Sequence, residues 1–293
     1  EPVAGVIFYN SNAANVCMAL YLRLFTRVRI LHNVEDIYEP KFNDWTAGSK
    51  THPLQNLYFS LGQRLMGLLV DGYIVPTERF LARLSSRPIA SVVTGCIEIE
   101  GTTPKKPAAP LRVLYAGKIE SEHGICQFMD ALQILDHRHE APAFEVDISG
   151  AGDQSDFVLD AARSLKNINV RFHGFISKDQ YTRLLCDADI CLALQDPSGR
   201  NAQFKTPSKV YEFIGYGKAV ITTDVGDLAR LSPHVLQMVP SLCPWDLAAL
   251  LAQLSRDTMA VSTLQKAARK HAIKYYSYDA VGEVIANMIN QTD

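Results

Sequence analysis

Residues 204–224 read FKTPSKVYEFIGYGKAVITTD, and the rest of the chain is arranged around them. The stretch divides into a polar loop, a short helix, a glycine stop and an apolar strand. Pro207 suits the last loop turn or the first helical turn, where its missing N–H costs nothing. Ser208 is placed to cap the helix. Val210, Phe213 and Ile214 fall at i, i+3 and i+4 and form one buried stripe. Gly215 and Gly217 end the helix, and Ala219 to Thr222 reads as a buried strand. The helix N-terminus opens onto a loop carrying Lys205, Ser208 and Lys209. Exposed N–H groups, the positive end of the helix dipole and two cations make an anion site, most naturally for phosphate. Glu212 lies one turn further in, at i+4 from Ser208 and i+3 from Lys209, and reaches the same mouth. Cations beside one carboxylate fit a nucleotide: charge for a diphosphate, an acceptor pair for ribose hydroxyls. A capped amphipathic helix with solvated Lys and Glu side chains accounts for the same residues.

PSKVYEFIGYGKAVITTD, residues 207–224, resembles the donor-site segment of GT-B glycosyltransferases of the GT4-like type. That segment runs as Pro-x-Lys, an apolar pair, Glu, an apolar run, Gly-Lys and a Val-Ile strand. The resemblance implies that Glu212 holds the nucleotide ribose. Many members carry a second Glu eight residues earlier, against the donor sugar; here that position is Phe204. The chain therefore resembles the Pro-x-Lys variant that lacks the paired Glu.

The chain has 293 residues, enough for about two domains. A hydrophobic content of 47% with 20% charged residues implies a sizeable core and argues against general disorder. A formal net charge of −2 argues against a broad nucleic-acid footprint. Six cysteines, Cys17, Cys96, Cys126, Cys186, Cys191 and Cys243, show neither CxxC nor Cys/His spacing. Most sit in apolar runs and read as buried thiols of a reducing compartment. There is no signal-peptide pattern, and the apolar run Leu65 to Val75 is broken by Gly67, Asp71 and Gly72. A cytoplasmic protein is expected, with peripheral association at the inner face of the membrane as an option.

Upstream of the donor segment the chain alternates strand and helix. Val3 to Tyr9 reads as a buried strand, Ala13 to Phe25 as a buried helix, and Val28 to Leu31 as the next strand. HNVEDIYEP follows at 32–40. A polar, acidic loop at the carboxyl end of a parallel strand is where α/β folds place ligands. His32, Glu35 and Asp36 are candidate acid/base or substrate-hydroxyl ligands, although a solvated loop explains them equally. This loop resembles the Glu-Asp segment of the acceptor domain in some bacterial GT4-like enzymes. Pro53 to Leu69 reads as an amphipathic helix, Gly72 to Val75 as a strand, and Thr77 as the cap of another helix. DGYIVPTERFLARL, residues 71–84, resembles the family's usual end of the acceptor domain. GTTPKKPAAP, residues 101–110, carries three prolines and reads as a linker.

Leu111 to Ala116 starts a second β/α series. The Gly117 to Gly124 loop resembles the family's Gly-Arg loop, in which an Arg and a Lys five residues on bind the diphosphate. Here those places hold Lys118 and His123. Lys118 keeps a fixed charge without the bidentate fork, and His123 is charged only when its pKa is raised. Phe144 to Ser149 is a strand followed by GAGD, where Gly150 and Gly152 permit close backbone approach. Gly174-Phe175-Ile176 matches the family turn that offers backbone groups to the nucleotide base. His173 reads as a structural histidine. Asp187-x-Asp189 matches the metal-binding pair of a different glycosyltransferase fold, but helix capping between α-helix and strand accounts for it. Ser177 caps a helix, and Tyr276-Ser277-Tyr278 resembles the entry to the family's C-terminal crossover helix.

The expected fold is α/β, two Rossmann-like domains of GT-B type with an incomplete N-terminal one. The expected boundaries are 1–100 for the acceptor side, 101–110 for the linker, 111–275 for the donor-binding domain and 276–293 for the crossover helix. The family's usual first strands would precede Glu1, so the chain reads as an excised piece rather than a reduced member. The expected reaction is retaining transfer of a sugar from a nucleotide diphosphate sugar to a saccharide or lipid-linked hydroxyl acceptor. Lys118, Lys209 and Glu212 are its central residues, with Gly117, His123, Gly150, Gly152, Phe175, Ile176, Lys205 and Ser208 around the donor. No metal and no cofactor beyond the donor is expected. The alternative is a degenerate donor domain that binds without turnover. A nicotinamide oxidoreductase would need a GxGxxG after its first strand, and that pattern is missing.

Overall fold

The computed structural model describes residues 3–9, 11–34, 53–82, 89–99, 105–137, 144–199, 202–204 and 206–291. Glu35, Asp36 and Lys205 lie outside the described residues. The chain divides into two compact units. One comprises Glu1–Thr94, Gln203–Lys205 and Asp279–Asp293; the other comprises Gly95–Ala202 and Thr206–Tyr278.

In the first unit the order is β1 (Gly5–Tyr9), α1 (Ala13–Phe25), β2 (Arg29–Asn33), α2 (Pro53–Leu69), β3 (Gly72–Val75), α3 (Glu78–Leu81) and β4 (Ile89–Val92). The strands form a parallel sheet in the order β1-β2-β3-β4. Its main cluster joins Phe8, Ala19, Ile30, Met66, Tyr73, Val75 and Phe80. Asn12 caps α1 by accepting the Asn15 N–H at 2.9 Å, and Thr77 caps α3 by accepting from Phe80. Two burial expectations fail here. β1 is an edge strand, with Ile7 and Tyr9 exposed and only Phe8 buried. In α1 only Ala19 is buried, while Met18, Leu20, Tyr21, Leu24 and Phe25 are exposed. A helix lying on a four-stranded sheet buries one stripe, so apolar residues all round do not become burial all round.

The second unit runs β5 (Leu111–Ala116), α4 (Ile125–His137), β6 (Phe144–Ser149), α5 (Ser155–Ser164), β7 (Asn169–Phe172), α6 (Lys178–Asp187), β8 (Ile190–Ala193), α7 (Ser208–Gly215), β9 (Ala219–Thr223), β10 (Gln237–Val239), α8 (Pro244–Arg256) and α9 (Thr258–Tyr275). The last helix, α10 (Tyr278–Asn290), belongs to the first unit from Asp279 on and packs Met288 with Leu31 and Ile74. The six strands are parallel in the order β10-β9-β8-β5-β6-β7. Successive residues of β5 serve opposite faces. Val113 and Tyr115 join the cluster of Phe128, Leu132, Val158 and Leu251, whereas Leu114 and Ala116 join that of Phe213, Ile214, Ala268 and Ala272. Both faces are covered there, which is why β5, β8 and β9 read as near-continuous apolar runs.

The Asp-x-Asp pair is structural without capping a helix. The Asp189 carboxylate accepts the Arg112 backbone N–H at 2.9 Å, and Asp187 pairs with the Arg112 guanidinium at 3.1 Å. The expectation of mostly buried thiols also needs correction. All six cysteines are free, and only Cys191 is buried. Apolar neighbours in sequence alternate sides of a strand or helix and do not guarantee a buried position.

Two carboxylates make the second unit acid-sensitive. Burial alone would raise the Asp136 pKa, but backbone N–H donors from Lys166, Asn167 and Ile168, at 2.9, 2.6 and 3.1 Å, hold it below the usual range. Asp147 is likewise raised by burial and lowered further by Arg171 and His173. A carboxylate whose folded pKa lies below the unfolded value stabilises the fold fully above the unfolded value. That contribution is lost as pH falls through the folded one. The urea midpoint is therefore expected to hold from pH 7 to about 5 and to drop below about pH 4. Asp136→Asn and Asp147→Asn should lower the plateau and flatten the acid limb. An acid limb unchanged in both variants would contradict these assignments.

Candidate active site

In a doubly wound sheet the connections on either side of the point where strand order reverses leave in opposite directions. A crevice then opens beyond the carboxyl ends of the strands. In the second unit this point lies between β5 and β8. A cleft of about 280 Å3 sits there, lined by the ends of both strands, the Gly117-Lys118 loop, His123 and the Pro207-Ser208-Lys209 start of α7.

The α7 wall differs from the expectation in one respect. Pro207, not Ser208, occupies the cap position, and Ser208 is the first helical residue. Proline has no side-chain acceptor, so the cap residue itself makes no capping hydrogen bond. Such a helix start at a cleft wall presents backbone donors and the positive dipole end to an anion. Behind it Val210, Phe213 and Ile214 are fully buried, each worth about 1.5–3 kcal/mol relative to exposure. That burial fixes where the helix begins.

The opposite wall is the loop after β5. A Cβ added at Gly117 would meet nothing within 4 Å, so the backbone there is open. The buried Tyr115 hydroxyl lies 2.9 Å from the Lys118 carbonyl and 3.0 Å from that of His123, pinning both ends of the loop. Burial pushes the Tyr115 phenol above its ordinary pKa, with Cys126 and Glu120 adding to the shift, so it stays a donor. The Lys118 ammonium is 3.6 Å from the Glu120 carboxylate, and His123 Nδ1 is 3.4 Å from the same group.

Lys209 is held more tightly. Its ammonium donates to Glu212 Oε2 and to the Tyr181 hydroxyl, both at 2.9 Å, and stands 4.0 Å from the centre of the Tyr181 ring. Lys209 lines the cleft; Glu212 stands one turn behind it, joined to the wall through Lys209.

Of the residues singled out from sequence, Gly117, Lys118, His123, Ser208 and Lys209 meet in this cleft. Gly150 and Gly152 do not line it. A Cβ at Gly150 would lie 1.8 Å from the Gly117 carbonyl oxygen, and one at Gly152 would lie 2.2 Å from that of Ile119. These glycines let two loops of the protein approach each other and so position the Gly117 wall. Phe175 is 88% exposed, and neither it nor Ile176 lines the cleft. His32 is buried at the end of β2 with Nε2 3.2 Å from Ser11 Oγ. Tyr115 and Tyr181 escaped the sequence reading. Neither belongs to a motif, and the Tyr181–Lys209 contact joins residues 28 apart.

Residues 110–257 match the sequence profile of the family described as glycosyl transferases group 1, over half of the chain. The chain belongs to the glycosyl transferases group 1 family. A glycogen synthase of Mycobacterium tuberculosis is 27% identical over 185 residues, 61% of this chain; the chain spans 42% of that relative's length. Among solved structures, Alr3699/HepE of Anabaena in complex with UDP is similar at a TM-score of 0.70 and 17% identity, covering 97% of this chain and 78% of its own. Sucrose-phosphate synthase of Thermosynechococcus elongatus gives 0.64 and 16%, covering 96% and 72%. Likeness at these identities speaks for the fold, which is GT-B, with two Rossmann-like units. The family profile covers the entire switch-point cleft. Phe204 packs against the apolar cluster of the first unit, a place unsuited to a carboxylate. Among the described residues no helix is long and apolar enough to cross a membrane.

Proposed function

We propose that this group 1 glycosyltransferase moves a sugar from a nucleotide diphosphate sugar to an acceptor hydroxyl with retention, in polysaccharide or glycoconjugate synthesis. The observation that carries this reading is the switch-point cleft with the start of α7 on one wall and the Gly117-Lys118 loop on the other. Its geometry suits a diphosphate, which the backbone donors, Lys118 and Lys209 neutralise as negative charge builds on it. In the transfer, the bond from the anomeric carbon to the diphosphate oxygen breaks. The acceptor oxygen bonds to that carbon on the same face, and its proton passes to the departing diphosphate. Interactions that strengthen as the diphosphate departs are the ones that raise the rate. Glu212 serves the ribose, and the reading needs no cofactor beyond the donor. UDP-sugars are the first donor class to test, because similar structures were solved with UDP and with UDP-glucose. A saccharide is the first acceptor class, with lipid-linked acceptors at a membrane surface second.

One observation favours a binding protein without turnover. Both cations of the cleft already face a carboxylate, Lys118 facing Glu120 and Lys209 facing Glu212. The experiment that separates the readings supplies UDP-, GDP- and ADP-sugars with mixed saccharide acceptors, then follows nucleoside diphosphate release and the product's anomeric configuration by NMR. Acceptor-dependent release with an α-linked product from an α-linked donor is expected. Tight donor binding without release would favour the second reading, and absence of donor binding would remove both.

A further inference from the structure

Tyr181 belongs to no motif, yet it organises the charged wall of the cleft. It sits near the start of α6, where a capping box fixes the backbone. Ser177 accepts from the Gln180 N–H at 3.3 Å, and the Gln180 side chain accepts from the Ser177 N–H at 3.1 Å. The Tyr181 N–H donates to the Ser177 carbonyl at 2.9 Å. From this fixed point the ring packs into the apolar cluster around α7, and the hydroxyl reaches Lys209.

The chemistry is directional. The ammonium can only donate, so the phenol oxygen accepts from it. Burial first, and the Glu212 charge second, push the phenol far above its ordinary pKa, so it remains protonated at any working pH. The ring face adds a cation–π contact with the same ammonium at 4.0 Å. A lysine with four rotatable bonds would otherwise lose that freedom on binding a ligand. Holding it beforehand removes the cost from the binding step.

We propose that Tyr181 is a positioning residue of the donor site, holding the Lys209 ammonium in place beside the Glu212 carboxylate at the cleft wall. The inference rests on the nucleotide reading above and adds to it a residue outside the donor motif. Tyr181 touches no reacting group; it acts through Lys209.

The test is a double-mutant cycle in which UDP, GDP and ADP affinities are measured by calorimetry on the full chain. Tyr181→Phe keeps the ring and its packing and deletes only the hydroxyl. Its expected effect on the best-binding nucleotide is a three- to tenfold rise in Kd, about the scale of one ordinary hydrogen bond. In a Lys209→Ala background the same change should have almost no further effect, because the group it positions is gone. Thermal melts of all four proteins report any loss of fold, and Tyr181→Phe is expected to melt near the parent. Parent binding with an unchanged Kd in Tyr181→Phe would overturn this inference and leave the nucleotide reading standing. Equal losses in both backgrounds would also overturn it, making Tyr181 a packing residue. If the parent binds none of the three nucleotides, both readings fall together.

Discussion

Replacing Gly150 with alanine is expected to cost about 3–4 kcal/mol of stability in the second unit. Two independent facts add up. Gly150 has φ of 147°, a conformation that L-residues rarely adopt, and its added Cβ would stand 1.8 Å from the Gly117 carbonyl oxygen. The colliding atom is backbone and is tied down, because the Gly117 N–H donates to the Ser149 carbonyl at 3.0 Å and the Ile119 N–H to that of Ala151 at 3.1 Å. The change would therefore push the Gly117 wall as well as strain the turn. Gly117→Ala is the matched control, since its Cβ meets nothing within 4 Å. Its stability should stay within about 0.5 kcal/mol of the parent. Chemical denaturation of the two variants beside the parent checks this, and similar midpoints for both would contradict the packing role of Gly150.

The second large effect concerns the α7 wall. Lys209→Ala should weaken binding of a nucleoside diphosphate by about 1–3 kcal/mol, and Glu212→Gln by about tenfold to a hundredfold. Glu212 stands beside the cleft, its side chain one-third exposed and 2.9 Å from the Lys209 ammonium, so losing its charge also loosens the cation. The two losses should therefore be less than additive. Comparison with a 2′,3′-dideoxy nucleotide isolates the ribose contribution. The dideoxy ligand should bind the parent weakly and lose only the part that passes through Lys209. Equal losses for ribo and dideoxy ligands in Glu212→Gln would remove Glu212 from the ribose and leave it as a partner of Lys209.

Much of the second unit could be read from residues alone because its signals are local. The Phe144–Ser149 and Leu111–Ala116 strands, the Ser177 cap and the glycine stop after α7 each depend on a few neighbouring side chains. Lys118 and Lys209 line the same cleft, because parallel β/α topology delivers every strand's carboxyl end to the same edge. The failures were nonlocal. Burial of β1 and α1 depends on what packs against them, and an apolar run does not encode its neighbours. Gly150 and Gly152 suggested a ligand, but only three-dimensional placement shows that the approaching backbone is that of Gly117 and Ile119. The tyrosines that hold the cleft together are invisible to motif reading for the same reason.

The central claim is that the phosphates of a nucleotide donor rest against the backbone donors of the Gly117-Lys118 loop and of the first turn of α7. Backbone amide shifts of the 15N-labelled protein, followed during titration with UDP, test it directly. Saturable shifts are expected at Gly117, Lys118, Ser208 and Lys209, with little change at Lys166 and Asn167, which precede β7 at the opposite end of the strands. Saturable shifts confined to other residues, or no shifts at millimolar UDP, would contradict it.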